Sequence, residues 1–152
     1  MLDWSLLVFV LLCVATAASG AIFKPGAWYE ALAKPSWTPP NWLFPVVWTL
    51  LYIMIAIAGW LVWRMSGFGA AMFFWGLQLV LNGAWSWLFF GQRRMDLAMV
   101  DVALLWSSIA IFILLAWPVS IWAGLLFVPY LVWVSIAAML NLTVWRMNPQ
   151  AA

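Results

Sequence analysis

The chain has 152 residues, of which 69% are hydrophobic and only 7% are charged, whereas about 25% of the residues in an average soluble domain are charged. Its mean hydropathy of +1.09 excludes a water-soluble fold of this length, and a net charge of +2 is too small to indicate a nucleic-acid partner. The composition predicts one all-α domain, residues 1–152, that is embedded in the lipid bilayer and crosses it several times.

The inventory of reactive side chains is short. The chain contains no histidine, the commonest general base and metal ligand, and Cys13 is its one cysteine, so no internal disulfide can form. The four acidic residues do not cluster along the sequence. These counts predict neither a metal centre nor a hydrolytic triad, and they indicate no obligatory cofactor.

Five apolar stretches approach or exceed the roughly 20 residues that a membrane-spanning helix needs. They cover residues 4–23, 42–63, 68–90, 97–117 and 122–145. The first stretch also has the small residues of a signal peptide, but no basic residue precedes it, which favours a retained first helix. We therefore expect a bundle of five transmembrane helices whose neighbours run antiparallel.

The connection between the first two stretches, residues 24–41, is much longer than the others. It is rich in proline and tryptophan and runs directly into the second stretch. Pro35, Pro39 and Pro40 prevent a helix before Asn41 and favour a stiff extended path. Because long loops of this kind are usually functional, we predict that this one forms a lid over a site in the bundle.

The basic residues predict an orientation. With five spans, Arg64 lies on the side of the N-terminus, whereas the long loop, the third-to-fourth connection and the C-terminus share the other side. That side carries five basic residues: Lys24, Lys34, Arg93, Arg94 and Arg146. The positive-inside rule then places the C-terminus and the long loop on the cytoplasm-like side and the N-terminus outside, without saying which membrane is crossed.

Polar and aromatic side chains recur at helical spacing within three spans. The pattern places them on one face of each helix, and intramembrane polar groups are candidates for function. The candidates in the spans are Trp48 and Tyr52 in the second, Gln78, Asn82 and Trp85 in the third, and Tyr130, Trp133, Ala137 and Asn141 in the fifth. A rise of about 1.5 Å per residue places most of them in the half of the bundle near the long loop.

Together with loop aromatics, these faces predict a ligand-binding cavity. Trp28, Tyr29, Trp37 and Trp42 lie in the loop or where it ends. An aromatic cavity with a few amide groups suits a flat apolar ligand with polar edges. The alternative is that the tryptophans only pack and that the amides only bond between helices.

Two further features have a structural interpretation. Asp101, one to two turns inside the fourth span, is expected to pair with a basic side chain at the interface. Gly76 and Gly83 are seven residues apart on the third span, and small residues on one face permit close helix approach. They indicate either packing within the bundle or a homodimer seam.

Several motifs, in order and over nearly the whole chain, resemble the tryptophan-rich sensory protein or translocator protein family (TspO/MBR, peripheral-type benzodiazepine receptor), in its bacterial form. They are Lys34-Pro-Ser-Trp-Thr-Pro-Pro-Asn-Trp42, Pro45-Val-Val-Trp-Thr-Leu-Leu-Tyr52, Gln78-Leu-Val-Leu-Asn-Gly-Ala-Trp85 continuing to Gly91, and Val128-Pro-Tyr-Leu-Val-Trp133 continuing through Asn141 to Arg146.

The resemblance implies a five-helix bundle, often a homodimer, that binds porphyrins such as protoporphyrin IX and acts as a sensor in tetrapyrrole metabolism or stress. By position, pocket residues of the family correspond to Trp48, Asn82, Trp85, Trp133 and Ala137. Tyr29 and Trp133 correspond to positions that bacterial relatives link to light-dependent porphyrin breakdown.

Two departures from the animal members concern sterols. Leu97 stands where they have a pocket tryptophan, and Leu142 stands where the cholesterol-recognition pattern needs a tyrosine. The residues therefore do not favour sterol binding, although such patterns are weak.

Four functions remain open from the sequence. The first is a porphyrin-binding sensor or carrier, and the second is photo-oxidative porphyrin degradation driven by the bound ligand. The third is a small-molecule or ion-coupled transporter, for which Asp101 is the only buried charge. The fourth is a structural scaffold that assembles through the third helix.

Overall fold

The computed structural model describes residues 3–151, and in that range the chain forms helices and connecting turns without a β-strand. The all-α prediction is therefore confirmed for this part of the chain. The helices are α1 (Trp4–Ile22), α2 (Ala27–Glu30), α3 (Leu43–Ser66), α4 (Ala70–Ser86) with a π-helix (Trp87–Gly91) directly after it, α5 (Met95–Ala116) and α6 (Ile121–Met147).

Four of these helices, α1, α3, α5 and α6, are long and apolar enough to cross a membrane, with mean hydropathies of 2.1–2.3. Turns of only a few residues connect α3 to α4 and α5 to α6. Sequential helices joined in this way pack side by side in opposite directions. The long apolar helices identify a multi-pass membrane protein, in which side chains exposed on the bundle surface face lipid.

The region predicted as the third span changes its geometry near its end. After Ser86 the helix widens, and the backbone N–H of Gln92 donates to the carbonyl of Trp87 at 2.8 Å, five residues back. Gly91 allows this segment to pack closely against the end of α1, because a Cβ at this position would lie only 2.8 Å from the Phe23 ring. The prediction of one uninterrupted helix over residues 68–90 misses this π-helix, a feature that is frequent at functional sites.

The loop-distant half of the bundle is organised around Trp75 of α4. Its indole is 3% exposed and donates from Nε1 to the carbonyl of Ile55 on α3 at 2.9 Å. Its ring meets that of Phe9 on α1 edge to face at 4.9 Å. Gly59 provides the room, since a Cβ there would lie 2.5 Å from Trp75 Nε1 and 2.9 Å from the Phe9 ring. Three helices thus meet at one tryptophan.

We predict that Gly59→Ala lowers the stability of the bundle by about 2 kcal/mol, because the added methyl overpacks the Trp75 site. Gly76→Ala is the matched control: a Cβ there meets nothing within 4 Å, and alanine is the better helix former by about 0.5 kcal/mol. Thermal unfolding in detergent measures both variants. A Gly59→Ala variant as stable as Gly76→Ala would contradict the packing described for Trp75.

Candidate ligand-binding cavity

A cavity of about 550 Å³ lies in the half of the bundle nearest the long loop. Its walls come from α1, α3, α4 with the π-helix, α5 and α6, and the loop contributes part of its cover. Eight of the sequence-predicted site residues line it: Tyr29, Trp48, Tyr52, Asn82, Trp85, Trp133, Ala137 and Asn141.

The other five candidates lie outside the cavity lining, and Tyr130 is one of them, fully buried in the bundle. Trp42 and Trp37 are 68% and 46% exposed on the outer surface. Trp28 does not line the cavity but packs edge to face against the lining residue Phe89, with ring centroids 5.9 Å apart. Gln78 is fully buried beneath the cavity floor. Helical spacing and chain proximity do not distinguish a residue that lines the cavity from one that supports it.

Gln78 belongs to a chain of hydrogen bonds that runs from the cavity into the bundle. Tyr52 donates to Asn82 Oδ1 at 2.8 Å, and Asn82 Nδ2 donates to the Tyr130 hydroxyl at 2.7 Å. Tyr130 in turn donates to Gln78 Oε1 at 2.8 Å, and Gln78 Nε2 donates to the carbonyl of Trp75 at 2.7 Å. The chain joins α3, α4 and α6 and satisfies polar groups that have no access to water.

A second polar link fixes the orientation of Trp85. Its indole Nε1 donates to Asn141 Oδ1 at 3.0 Å, and Asn141 Nδ2 donates to the carbonyl of Met95 at 3.0 Å. Asn141 is 1% exposed. The Asn141 side chain therefore links α6 to an indole of α4 and to the first turn of α5. Its oxygen and its nitrogen each make one of these hydrogen bonds.

Aromatic rings form the wall on the side of α4. Trp85 stacks on Phe89 with ring centroids 5.0 Å apart and meets Phe90 edge to face at 5.5 Å. Tyr29 from α2 packs edge to face on Phe90 at 5.5 Å. Burial, with a smaller contribution from Glu30, raises the pKa of Tyr29, so its phenol is neutral at physiological pH.

The opposite wall is also aromatic. Phe44, in the first turn of α3, meets Trp133 of α6 edge to face at 5.6 Å. One turn further along α3, Trp48 packs against Tyr52 at 5.6 Å and against Tyr130 at 6.2 Å. The cavity therefore lies between two sets of large flat side chains, an arrangement that suits a flat apolar ligand.

The cavity opens sideways between the end of α1 and the start of α3. Lining residues that are exposed on the outer surface mark this mouth: Gly20, Ala21 and Lys24 on one side and Pro45 and Thr49 on the other. Lys24 is the only charged residue in the lining. The rest of the lining is apolar or polar and neutral; its amides are hydrogen-bonded to the protein, whereas the buried Nε1 of Trp133 has no partner among the described residues.

Hydrogen bonds tie the middle of the long loop to the end of α6. The side-chain amide of Asn148, just after α6, pairs with the backbone of Ala33: its Oδ1 accepts from the Ala33 N–H at 3.0 Å, and its Nδ2 donates to the Ala33 carbonyl at 2.8 Å. A further bond lies within the loop, where Asn41 Nδ2 donates to Glu30 Oε1 at 2.8 Å. The loop is therefore fixed at Ala33 to the end of α6.

Asp101 does not make the interfacial ion pair expected from the sequence. Arg94 pairs with Asp96 instead, at 2.8 Å. Asp101 is 6% exposed, its Oδ2 has no hydrogen-bond partner among the described residues, and it lies outside the cavity lining. Asp96 is two residues from Arg94, whereas Asp101 is two turns into α5, too deep to share that guanidinium. Within residues 3–151 no group of three potential metal ligands is present.

The TspO/MBR family model matches residues 9–146. The chain belongs to the TspO/MBR family. A protein CrtK from Rhodobacter capsulatus is 44% identical over 149 residues, which cover 93% of this chain and 91% of that protein. A tryptophan-rich sensory protein from Cereibacter sphaeroides is 41% identical over 148 residues, 97% of this chain and 94% of that one. The human translocator protein is 41% identical over 126 residues, 80% and 75% respectively.

In this TspO/MBR chain, the two glycines predicted as a dimer seam have different surroundings. Gly83 faces α1 of the same chain: a Cβ there would lie 3.7 Å from Thr16, and its carbonyl accepts from the Ser19 hydroxyl at 2.6 Å. Gly76 faces open space. The packing interpretation therefore holds for Gly83, and only Gly76 remains open to a second copy.

The cavity residues that sequence reasoning missed include Lys24 and four phenylalanines: Phe23, Phe44, Phe89 and Phe90. A signal for two of them was present, because Phe44 precedes Trp48 by four residues and Phe89 follows Trp85 by four. Phe89 and Phe90 both lie in the π-helix, where the regular helical period no longer applies.

We predict that Tyr130→Phe lowers bundle stability by about 1–2 kcal/mol, because it leaves Gln78 Oε1 and Asn82 Nδ2 unpaired in an apolar interior. Tyr52→Phe is the matched control, since it removes the same hydroxyl at the half-buried end of the chain and should cost less than half as much. Thermal unfolding in detergent compares them. Equal losses of stability in the two variants would contradict the central position of Tyr130 in the hydrogen-bond chain.

We predict that Asn148→Ala releases the long loop without unfolding α6. Amide exchange over residues 31–36 should accelerate roughly fivefold, equivalent to about 1 kcal/mol for the lost pairing with Ala33. Thr143→Ala is the control, since that hydroxyl donates only to the carbonyl of Met139 in its own helix. Unchanged exchange in the Asn148 variant would show that other contacts hold the loop.

Proposed function

We propose that this chain is a membrane receptor, sensor or carrier that binds porphyrins of the protoporphyrin IX type in the cavity below the long loop. In this proposal, binding is linked to the regulation of tetrapyrrole metabolism or to a stress response. The observation that carries the proposal is the cavity itself, about 550 Å³ between two aromatic walls. Its volume lies in the range of about 300–1,000 Å³ that is typical of small-molecule sites.

The distribution of polar groups supports a flat and largely apolar ligand. Asn82 and Asn141 line the cavity, but each has its oxygen and nitrogen committed to other residues. The exposed faces of Trp48, Trp85 and Trp133 remain as the principal contact surface. Ring stacking on such faces favours a planar conjugated molecule over a sterol, and Leu97 and Leu142 already disfavour the animal sterol pattern.

The name of one relative agrees with this proposal in general terms. The Cereibacter sphaeroides protein is named a tryptophan-rich sensory protein, which describes a sensor but not its ligand. Among the described residues, the acid–base groups in the lining are Lys24, Tyr29 and Tyr52, without a carboxylate, histidine or thiol. We therefore favour binding over catalysis by the protein's own side chains.

The proposal includes a five-helix membrane topology. The helix α4 and its π-helix together cover residues 70–91, a length of roughly 30 Å at about 1.5 Å per residue, which matches a bilayer core. We propose that this segment is the fifth crossing, that the N-terminus lies outside, and that the long loop closes the cavity as a lid on the cytoplasm-like side. A homodimer would use the face of α4 around Gly76.

We predict that Trp48→Ala combined with Trp133→Ala weakens protoporphyrin IX binding by about tenfold or more, because two wall rings are lost. Titration of the purified protein in detergent, followed by the porphyrin absorbance band, measures the affinity. The matched control is Trp37→Ala combined with Trp42→Ala, which removes two indoles outside the cavity. Equal affinities for both double variants would place the porphyrin elsewhere.

A further inference from the structure

The cavity has a strongly asymmetric charge distribution. Lys24 is the one charged residue in its lining, and it lies at the mouth rather than in the interior. No acidic residue lines the cavity. Glu30, the nearest acidic residue of the loop, has its carboxylate bonded to Asn41. The mouth is therefore cationic, whereas the interior offers only neutral groups.

Lys24 differs from the other basic residues on its side of the bundle, among them Arg146, because it alone of them lines the cavity. Lys34 donates to the carbonyls of Glu30 and Leu32 and lies over the Tyr29 ring. Arg94 is paired with Asp96. Within residues 3–151, Lys24 makes neither a hydrogen bond nor an ion pair. An ammonium group that lines a cavity and has no protein partner is available to a ligand.

Arg93 is similarly committed to the protein, since its guanidinium lies 5.9 Å from the ring of Trp28, behind the α4-side wall. It does not line the cavity. A negatively charged group that entered the cavity would therefore find only one cation within its walls.

We propose that the ligand of this cavity carries a carboxylate and that Lys24 binds it at the mouth, with the flat apolar body directed inward between the aromatic walls. This inference rests on the proposed function and specifies the ligand class as a planar amphiphilic acid. The reverse orientation would bury a carboxylate among Trp48, Trp85 and Trp133, where no cation pairs with it, and an unpaired buried charge is strongly unfavourable.

The interior offers a carboxylate neutral donors only. Asn82 donates to Tyr130, Asn141 donates to the carbonyl of Met95, and the Tyr52 hydroxyl donates to Asn82. The indole Nε1 of Trp133 is buried without a partner among the described residues, but one neutral N–H does not balance a negative charge. Lys24 contributes three N–H donors and a full positive charge.

The test compares Lys24→Gln with the unaltered protein on two ligands, protoporphyrin IX and its dimethyl ester, which has the same ring without the two charges. Lys24→Gln should weaken binding of the free acid about fivefold and leave binding of the ester unchanged. Binding of the free acid to the unaltered protein should also weaken as salt is added, and Lys24→Gln should reduce that dependence. Arg146→Gln, which makes the same change in net charge outside the cavity, should leave both affinities unchanged.

A third variant separates charge from packing. Lys24→Arg should retain most of the preference for the free acid, since it keeps the positive charge. An equal loss for acid and ester in Lys24→Gln, or no loss for either, overturns the Lys24 assignment while porphyrin binding stands. Absence of binding of both ligands to the unaltered protein overturns the proposed function as well.

Discussion

Hydrogen-bonding side chains inside an apolar bundle have no water to pair with, so they must pair with one another. In this chain the hydroxyl of Tyr130 on α6 meets that requirement for two amides of α4. It accepts from Asn82 and donates to Gln78, both on α4, and Asn82 in turn accepts from Tyr52 on α3. Loss of this one oxygen would leave two amide atoms unpaired. The relative positions of α3, α4 and α6, and so the floor of the cavity, depend on it.

This network also determines the chemistry of the cavity. Amides that bond to tyrosine hydroxyls, to the Trp85 indole and to the backbone hold the helices together, and they leave few donors or acceptors for a ligand. The contact surface is consequently aromatic, with Trp85 and Phe89 stacked on one side and Phe44 and Trp133 on the other. Charge appears only at the mouth, at Lys24. A cavity of this kind discriminates by shape and flatness in its interior and by charge at its edge.

The sequence predicted the all-helical fold of a multi-pass membrane protein and the family because both depend on local or linear features: apolar length, short turns and ordered motifs. It also located eight cavity residues, since helical periodicity places Trp48 with Tyr52 and Asn82 with Trp85. Periodicity did not predict the π-helix at Trp87–Gly91, which contributes Phe89 and Phe90 to the lining. Helical periodicity also gave no information on Trp37 and Trp42, because the side chains of a loop do not repeat on one face.

Composition, hydropathy and motif order therefore determined the class of protein, its helical fold and eight residues of the cavity, because lipid permits few ways of satisfying a backbone. The tertiary structure alone decided which polar groups are hydrogen-bonded within the protein and which are accessible to a ligand. Gln78 and Asn82 look equivalent along α4, yet one is sealed beneath Tyr130 and the other lines the cavity. Lys24 looks like one of several basic residues on its side, yet only its position at the mouth makes it part of the site. Hydrogen-bond partners and cavity walls come from residues far apart in the chain, and their pairing exists only once the helices have packed.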